Sequence, residues 1–287
     1  MRKFSYASPG SLEEAIKIAA ENSGKEVRFI AGGTDFNPKL HTELDEPPKE
    51  GMPDMVIVSL KKAGLDQIAE KDGEICIGAC CTMNDLEEND QIRKEFPVLV
   101  QAIRQIAGYT IRNTCTLGGN IVNASPAADS VPALIVLGAK FKVCGSGGEK
   151  EYAAEDFFTG PGKTRLEAGE VLTEIVIPKG SGKGAFIKLG KRKAETLSTV
   201  NAAAYIEQEN GKCTLARVAV GAAAPTVVKC TAVEQELAGK ELTDEVICAA
   251  AAKAVEQISP IDDVRASAWY RRKVAPVVVR RVIQASV

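Results

Sequence analysis

The sequence predicts an α+β protein of two lobes: a mixed part to about residue 178 and a sheet-plus-helices part from about residue 183. Three observations predict it. Short β-rich runs such as "DMVIVSL" (54–60) and "EICIGA" (74–79) alternate with helical patterns through the first part. The tract "KGSGKG" (179–184) then breaks the pattern with three glycines and no apolar residue. Beyond it, "VNAAAYIEQENGKCTLARVAVGAAA" (200–224) reads as two strands joined at Asn210–Gly211, and two long helical patterns follow. Both residues of that dipeptide tolerate the positive φ that a two-residue hairpin turn demands.

Each element has its own justification. Ser11 and Glu14 form a capping-box signature, and Leu12, Ala15, Ile16 and Ala19 recur at helical spacing behind them. "VRFIA" (27–31) is a short strand running into Gly32–Gly33–Thr34–Asp35, where a second helix can start. Residues 54–60 and 74–79 are strands, and "FPVLVQAIRQIAG" (96–108) is a helix stopped by Gly108. "SVPALIVLGA" (130–139) is a buried helix, "KFKVCGSGGEKEY" (140–152) a hairpin turning in its Gly/Ser cluster, and "EVLTEIVIP" (170–178) a strand. "DEVICAAAAKAVEQI" (244–258) and "ASAWYRRKVAPVVVRRVIQ" (266–284) are helices, the second kinked or restarted at Pro276. The expected domains are 1–178, with subdomains of about 1–58 and 59–178, and 183–287.

The totals exclude several function classes. The 287 residues carry 36 Lys plus Arg against 38 Asp plus Glu, a net charge of −2, which argues against nucleic acid as a partner. No apolar run approaches the ~20 residues of a membrane span, and "MRKFSYASPGSLEEA" lacks the apolar core of a secretory signal, so a cytoplasmic protein is expected. Eight cysteines show no C-x-x-C pair and no iron–sulfur spacing; they read as small, mostly buried residues in a reducing compartment. The single histidine, His41, beside the charged stretch "ELDEPPKEGMP", reads as a surface residue and excludes a His-rich zinc site. No metal site and no catalytic acid, base or nucleophile is expected.

Two glycine pairs carry the chemistry. "IAGGTDF" (30–36) and "TLGGNIVNASPAAD" (116–129) each combine Gly–Gly with a hydroxyl, Thr34 or Thr116, and a polar neighbour, Asp35 or Asn120. Neither fits the P-loop or the Rossmann fingerprint. "GPGKTRLEAG" (160–169) contains Gly–Lys–Thr, but Phe157 stands where a P-loop needs its first glycine, so it reads as an ordinary loop. Glycine removes the β-carbon and lets a pyrophosphate reach amide N–H groups, while the hydroxyls add donors. Asp129 lies too far down its run for the same phosphates and suits a sugar hydroxyl as acceptor. The residues by themselves point to a dinucleotide-like ligand.

"FIAGGTDF" (29–36) resembles the first flavin-binding loop of the FAD-binding subunits of molybdenum hydroxylases, and "TIRNTCTLGGNIVNASPAAD" (110–129) closely resembles the second. "RVAVGAAAPTVVKC" (217–230) and "ASAWYRRKVAPVVVRRV" (266–282) resemble their last sheet and C-terminal helix, so the likeness covers nearly the whole chain. The resemblance implies a vanillyl-alcohol-oxidase-like (PCMH-type) FAD fold followed by the flavoprotein C-terminal domain of these enzymes. It implies non-covalent FAD on this chain, a partner subunit with molybdopterin, a small partner with two [2Fe–2S] clusters, and onward transfer to NAD⁺ or another acceptor in a heterotrimer. Carried over by position, Ala31, Gly32, Gly33, Thr34, Asp35 and Phe36 surround the pyrophosphate, and Thr116, Gly118, Gly119 and Asn120 form a second wall. Asp129 accepts from a ribityl or ribose hydroxyl, Leu172 and Ile106 cover the two faces of the isoalloxazine, and Lys188 stands near its pyrimidine end.

Thr110 and Phe36 depart from the commoner glutamine and aliphatic residues of the family. Between residues 115 and 213 only Cys115, Cys144 and Cys213 occur, which excludes the extra iron–sulfur cluster of 4-hydroxybenzoyl-CoA reductase. "DFFTGPGKTRLEAGEVL" (156–172) looks most like bacterial xanthine dehydrogenase flavin subunits and tilts the substrate toward purines. The alternatives are the flavin subunit of a nicotinate, aldehyde or carbon monoxide dehydrogenase, or a non-enzymatic docking subunit.

Overall fold

The structure is a computed structural model that describes residues 3–45 and 53–287. In chain order the first elements are β1 (Phe4–Ala7), α1 (Leu12–Glu21), β2 (Glu26–Ile30), α2 (Phe36–Asp45) and β3 (Met55–Ser59). Then come β4 (Ile68–Lys71), β5 (Glu74–Gly78), α3 (Met83–Glu88), α4 (Asp90–Glu95), α5 (Pro97–Ile103), α6 (Tyr109–Arg112), α7 (Leu117–Val122) and α8 (Ser130–Val136). The middle of the chain gives β6 (Lys140–Gly145), β7 (Gly148–Ala153), β8 (Phe158–Gly160), β9 (Lys163–Thr164) and β10 (Val171–Pro178). The last stretch gives β11 (Lys183–Gly190), β12 (Ser198–Glu209), β13 (Lys212–Gly221), β14 (Val228–Lys229), α9 (Thr231–Leu237), α10 (Asp244–Ala252), α11 (Ala254–Gln257) and α12 (Ala268–Gln284).

These strands form three principal sheets. β3 lies between β1 and β2, parallel to both. β4-β5-β10-β6-β7 is a five-stranded antiparallel sheet, and β11-β12-β13-β14 a four-stranded one. The Gly–Lys–Thr loop closes on itself as the small β8–β9 pair. The hairpin between β12 and β13 turns at Asn210 (φ 52°) and Gly211 (φ 77°), as the dipeptide predicts.

β12 decides how the two halves meet. Residues from Ser198 to Ile206 are all buried because both faces are covered. Ala203 and Tyr205 join the core of the five-stranded sheet with helices α3, α4, α5, α7 and α8, while Ala202, Ala204 and Ile206 pack under α9 to α12. The period-2 alternation of a strand thus feeds two cores, and the alanines let helices approach from either side.

Some expectations need correction. Residues 96–108 do not form one helix: α5 ends at Ile103, Ala107 takes φ 44°, and Gly108 precedes α6 as its N-cap. Residues 244–258 divide into α10 and α11. α12 runs through Pro276 without restarting there, and Ala275, Val278, Val279 and Val282 keep the buried face continuous across it. The capping box at Ser11 is half formed, because Ser11 Oγ accepts from the Glu14 N–H (3.2 Å) while Glu14 accepts from Gly10 (2.7 Å). His41 is exposed on α2, as expected; the adjoining residues 46–52 lie outside the described ones. Among the described residues no helix is long and apolar enough to cross a membrane.

Candidate cofactor site

The two glycine turns converge. A β-carbon on Gly32 would stand 1.9 Å from the Thr114 carbonyl oxygen and 2.8 Å from its carbon, so the turn after β2 lies directly on the chain entering α7. Gly33 follows at φ +70°, a conformation that costs an L-residue about 1–2 kcal/mol. That twist leads into α2. Among the described residues, no protein group accepts from the N–H of Gly32, Gly33, Thr34 or Asp35. Four unspent donors at the start of a ten-residue helix form an anion cradle.

The second turn is built differently, and here the sequence reading is corrected. The N–H of Leu117 donates to Cys81 (3.0 Å), Gly118 to Ala79 (2.9 Å), Gly119 to Thr116 Oγ1 (3.0 Å) and Asn120 to the Thr116 carbonyl (3.0 Å). None of these four is left for a ligand; among the described residues only the Thr116 N–H of this turn has no protein acceptor. Gly118 is required by packing, since its β-carbon would lie 2.6 Å from Ala79. Beyond that, this turn offers side chains. The Thr116 hydroxyl accepts from Gly119 and keeps its own hydrogen to donate; Asn120 Oδ1 accepts from Ser130 (2.6 Å), leaving its amide N–H₂.

A cleft of about 390 Å³ opens between the turns. Ala31, Gly32, Gly33, Thr34, Asp35, Phe36, Thr116, Gly118, Gly119, Asn120 and Leu172 line it, bringing together eleven of the fourteen residues expected from the sequence. Ile106, Asp129 and Lys188 do not line it. Ile106 is half-buried against the larger core. Asp129 and Lys188 form a buried ion pair of 2.6 Å, with side chains 7% and 6% exposed. Asp129 Oδ1 also accepts from Ser198 Oγ (2.5 Å) and Asn201 Nδ2 (2.7 Å). Asp129, expected to accept from a sugar hydroxyl, thus already accepts from three protein donors, two on Oδ1 and one on Oδ2. The Lys188 ammonium also donates to the Gln105 carbonyl (2.8 Å).

Sequence reasoning missed Lys39. It stands one helical turn after Asp35, pairs with it, and donates across the cleft to Asn123 Oδ1 (2.9 Å). The Asp35/Lys39 spacing on a helix was the available signal. Leu60, Val122 and Leu166 add apolar lining, and Arg28, paired with Glu26 and Glu43, closes one edge. Cys80 and Cys115 also line the cleft, and burial pushes both thiols up to about 11. No cluster able to hold a metal occurs among the described residues.

Residues 2–180 match the family described as FAD binding domain in molybdopterin dehydrogenase. The chain belongs to the FAD-binding medium subunits of the molybdenum hydroxylase family. Residues 185–286 match the CO dehydrogenase flavoprotein C-terminal domain that follows it in such subunits. The chain is similar to a putative xanthine dehydrogenase FAD-binding subunit of Escherichia coli K12, 32% identical over 99% of this chain and 96% of that one. It is 29% identical to the glyceraldehyde dehydrogenase medium chain of Sulfolobus acidocaldarius, over 98% of both.

Among solved structures it resembles carbon monoxide dehydrogenase from Hydrogenophaga pseudoflava lacking the Mo-pyranopterin moiety, with a TM-score of 0.92, 30% identity, and 99% and 97% of the chains covered. It also resembles quinoline 2-oxidoreductase from Pseudomonas putida 86, with a TM-score of 0.90, 30% identity, and 99% and 96% covered. The α+β fold of this medium subunit is thus the one its motifs imply. Its cleft also fits the diphosphate of FAD: four free N–H groups, a hydroxyl donor at Thr116 and the Lys39 ammonium converge where no β-carbon intervenes.

Proposed function

We propose that this medium subunit is the electron-transfer component of a three-subunit enzyme. Its partners are a molybdopterin-binding large subunit and a small subunit with [2Fe–2S] clusters, and NAD⁺ is the acceptor. The observation that carries the reading is the set of unspent N–H groups at Gly32 to Asp35, seated on the second turn through Gly32. FAD, when bound, exchanges single electrons for a hydride. The residues of this chain do the rest: the first turn binds the diphosphate, Leu172 and Ile106 cover the flavin faces, and Lys188 stands by the pyrimidine end. Binding is read as non-covalent, and the place of His41, the one histidine, outside the cleft lining supports it by removing attachment through histidine.

The assembled enzyme, on this reading, hydroxylates a purine such as xanthine or hypoxanthine, or a related N-heterocycle. The loop 156–172 and the Escherichia coli relative support it. Relatives named for carbon monoxide (30% identical), nicotine (29%) and nicotinate (32%) define the competing substrates. A purely docking subunit is the other alternative, and a cradle of free N–H groups argues against it.

The test is direct. Purified chain should be yellow with one FAD per chain, and NADH should bleach it. Colourless protein that ignores added FAD overturns the cofactor assignment; bound flavin unaffected by NADH overturns NAD⁺ as acceptor. Turnover of the co-purified complex with xanthine, nicotinate, aldehyde and carbon monoxide selects the substrate.

A further inference from the structure

The pairing of β11 with β12 slips by one residue. Leu189 pairs with Val200 and Gly190 with Ser198, so Thr199 is the extra residue of a β-bulge, a device that re-aims a side chain. Thr199 is 3% exposed and lines a cavity of about 290 Å³ at the start of α12, apart from the cleft between the glycine turns. Its hydroxyl bonds to no described residue. A buried hydroxyl without a partner costs stability that a bound acceptor restores. The backbone on either side is fixed: the Thr199 carbonyl accepts from Arg271 Nε (3.0 Å) and the Ser198 carbonyl from Arg265 Nη1 (3.4 Å).

The polar lining of this cavity is rich in donors. Lys191 spends one ammonium hydrogen on the Val264 carbonyl (2.6 Å) and keeps two. Arg265 gives Nε and Nη2 to Asp263 and Nη1 to Ser198, so two of its five N–H groups remain. Ser267 Oγ accepts from the Tyr270 N–H (3.2 Å) and keeps its own hydrogen to donate. Ser267 is the N-cap of the 17-residue α12, and among the described residues the Trp269 N–H has no protein acceptor. The helix dipole adds positive potential at that end. Two carboxylates stand nearby and both are engaged: Asp262 accepts from the Ala268 N–H, and Asp263 is shared by Arg265 and Arg271. Lys191, Arg265 and Arg271 outnumber them. We propose that this cavity is a phosphate-binding site, taking a phosphate group of a small molecule or the free ion, with Thr199, Lys191, Arg265 and Ser267 as its donors. The site is separate from the cofactor cleft and independent of whether FAD fills that cleft.

Trp269, the one tryptophan, stands in the first turn of α12 beside Tyr270 and is the reporter. Its fluorescence in the full-length chain is titrated with inorganic phosphate, against chloride at equal ionic strength. The variants are Thr199→Val, Lys191→Met and, as a control on a distant exposed lysine, Lys17→Met. The expected result is a saturable change in the unmodified chain and in Lys17→Met, with affinity about fivefold or more weaker in each of the other two. Lys191 is exposed, so its variant decides the matter if Thr199→Val unfolds. An equal response to chloride, or phosphate bound as tightly by Thr199→Val and Lys191→Met, overturns the site. The titration is repeated with FAD bound. A response that then vanishes belongs to the cradle at Gly32 to Asp35 and also overturns the site. AMP and NAD⁺ follow as probes: binding tighter than phosphate with the same dependence on Thr199 and Lys191 makes a nucleotide the source of the phosphate. Binding no tighter makes the free ion the ligand, and both results bear the site out. If the chain binds no FAD, the function proposed above fails while the variant comparison still decides this site.

Discussion

The Thr114 carbonyl oxygen occupies the place of a side chain on Gly32, only 1.9 Å from where its β-carbon would stand. Two turns more than eighty residues apart in sequence are thereby held in backbone contact, and the cleft between them exists because Gly32 has nothing to put there.

Gly32→Ala should open that contact. The clashing atoms are main chain and cannot rotate away, so about 1–3 kcal/mol of stability is lost, and FAD affinity falls on the order of 10- to 100-fold as the cradle shifts. Gly24, whose β-carbon would meet nothing within 4 Å, supplies the control: Gly24→Ala should stay within about 0.5 kcal/mol. Urea melts and flavin titrations check both.

Lys39→Glu should weaken FAD binding more than Lys39→Ala does. Lys39 is an exposed cation on the cleft rim, so the alanine change costs a few-fold at most, about 0.2–1 kcal/mol, and the cost shrinks as salt is added. Titration with FAD at low and high salt measures it. Equal affinity for both variants at low salt would place the diphosphate away from α2.

Arg271 holds the C-terminal half together. It is 1% exposed and bonds Asp263 (2.7 Å), Thr199 O (3.0 Å) and Ile261 O. Arg271→Ala strips partners from a carboxylate and two carbonyls and should cost about 3–5 kcal/mol. At ~2–4 °C per kcal/mol for a chain of this size, calorimetry should record a fall of roughly 6–20 °C.

The same cluster predicts an acid limb in the stability curve. Burial works to raise the Asp263 carboxyl, but hydrogen bonds from Arg265, Arg271 and two main-chain N–H groups outweigh it and hold the group well below the usual carboxylate range. A depressed folded-state value means that the stabilisation is fully present above the unfolded value, near 3.9, and is lost as pH falls below it. Denaturant melts from pH 5 to pH 2.5 should therefore show a decline that Asp263→Asn flattens.

Alkylation at pH 8 should follow exposure and thiol acidity together. Cys248 is exposed, whereas Cys80 and Cys115 are half-buried and pushed up to about 11. Mass spectrometry should find Cys248 modified first, with the two cleft thiols reacting faster as pH approaches 11. Early modification of Cys115 would show the cleft to be more open than described.

What was legible in the sequence was local. The Asn210–Gly211 turn and the helix behind Ser11 follow from φ tolerance, capping and periodicity, properties that a few neighbouring residues settle. The motif around Gly118–Gly119 was specific enough to give the family, which residues 2–180 then matched. The helix ending at Ile103 rather than Gly108 was not legible, because the turn that follows is held by Lys188 and Arg112 from elsewhere in the chain.

By itself, then, the sequence determined most of the secondary elements and the α+β class, since spacing and backbone freedom encode these directly, and the resemblance of its motifs gave the cofactor family. Only the tertiary structure decided which glycine pair still has N–H groups to give. The amides at 117–118 are consumed by carbonyls at 81 and 79, and no pattern within the motif reveals that. It also decided the fate of Asp129, whose donors lie 59, 69 and 72 positions away. A hydrogen bond depends on which groups folding brings within 3 Å, and for a buried carboxylate those groups come from distant strands.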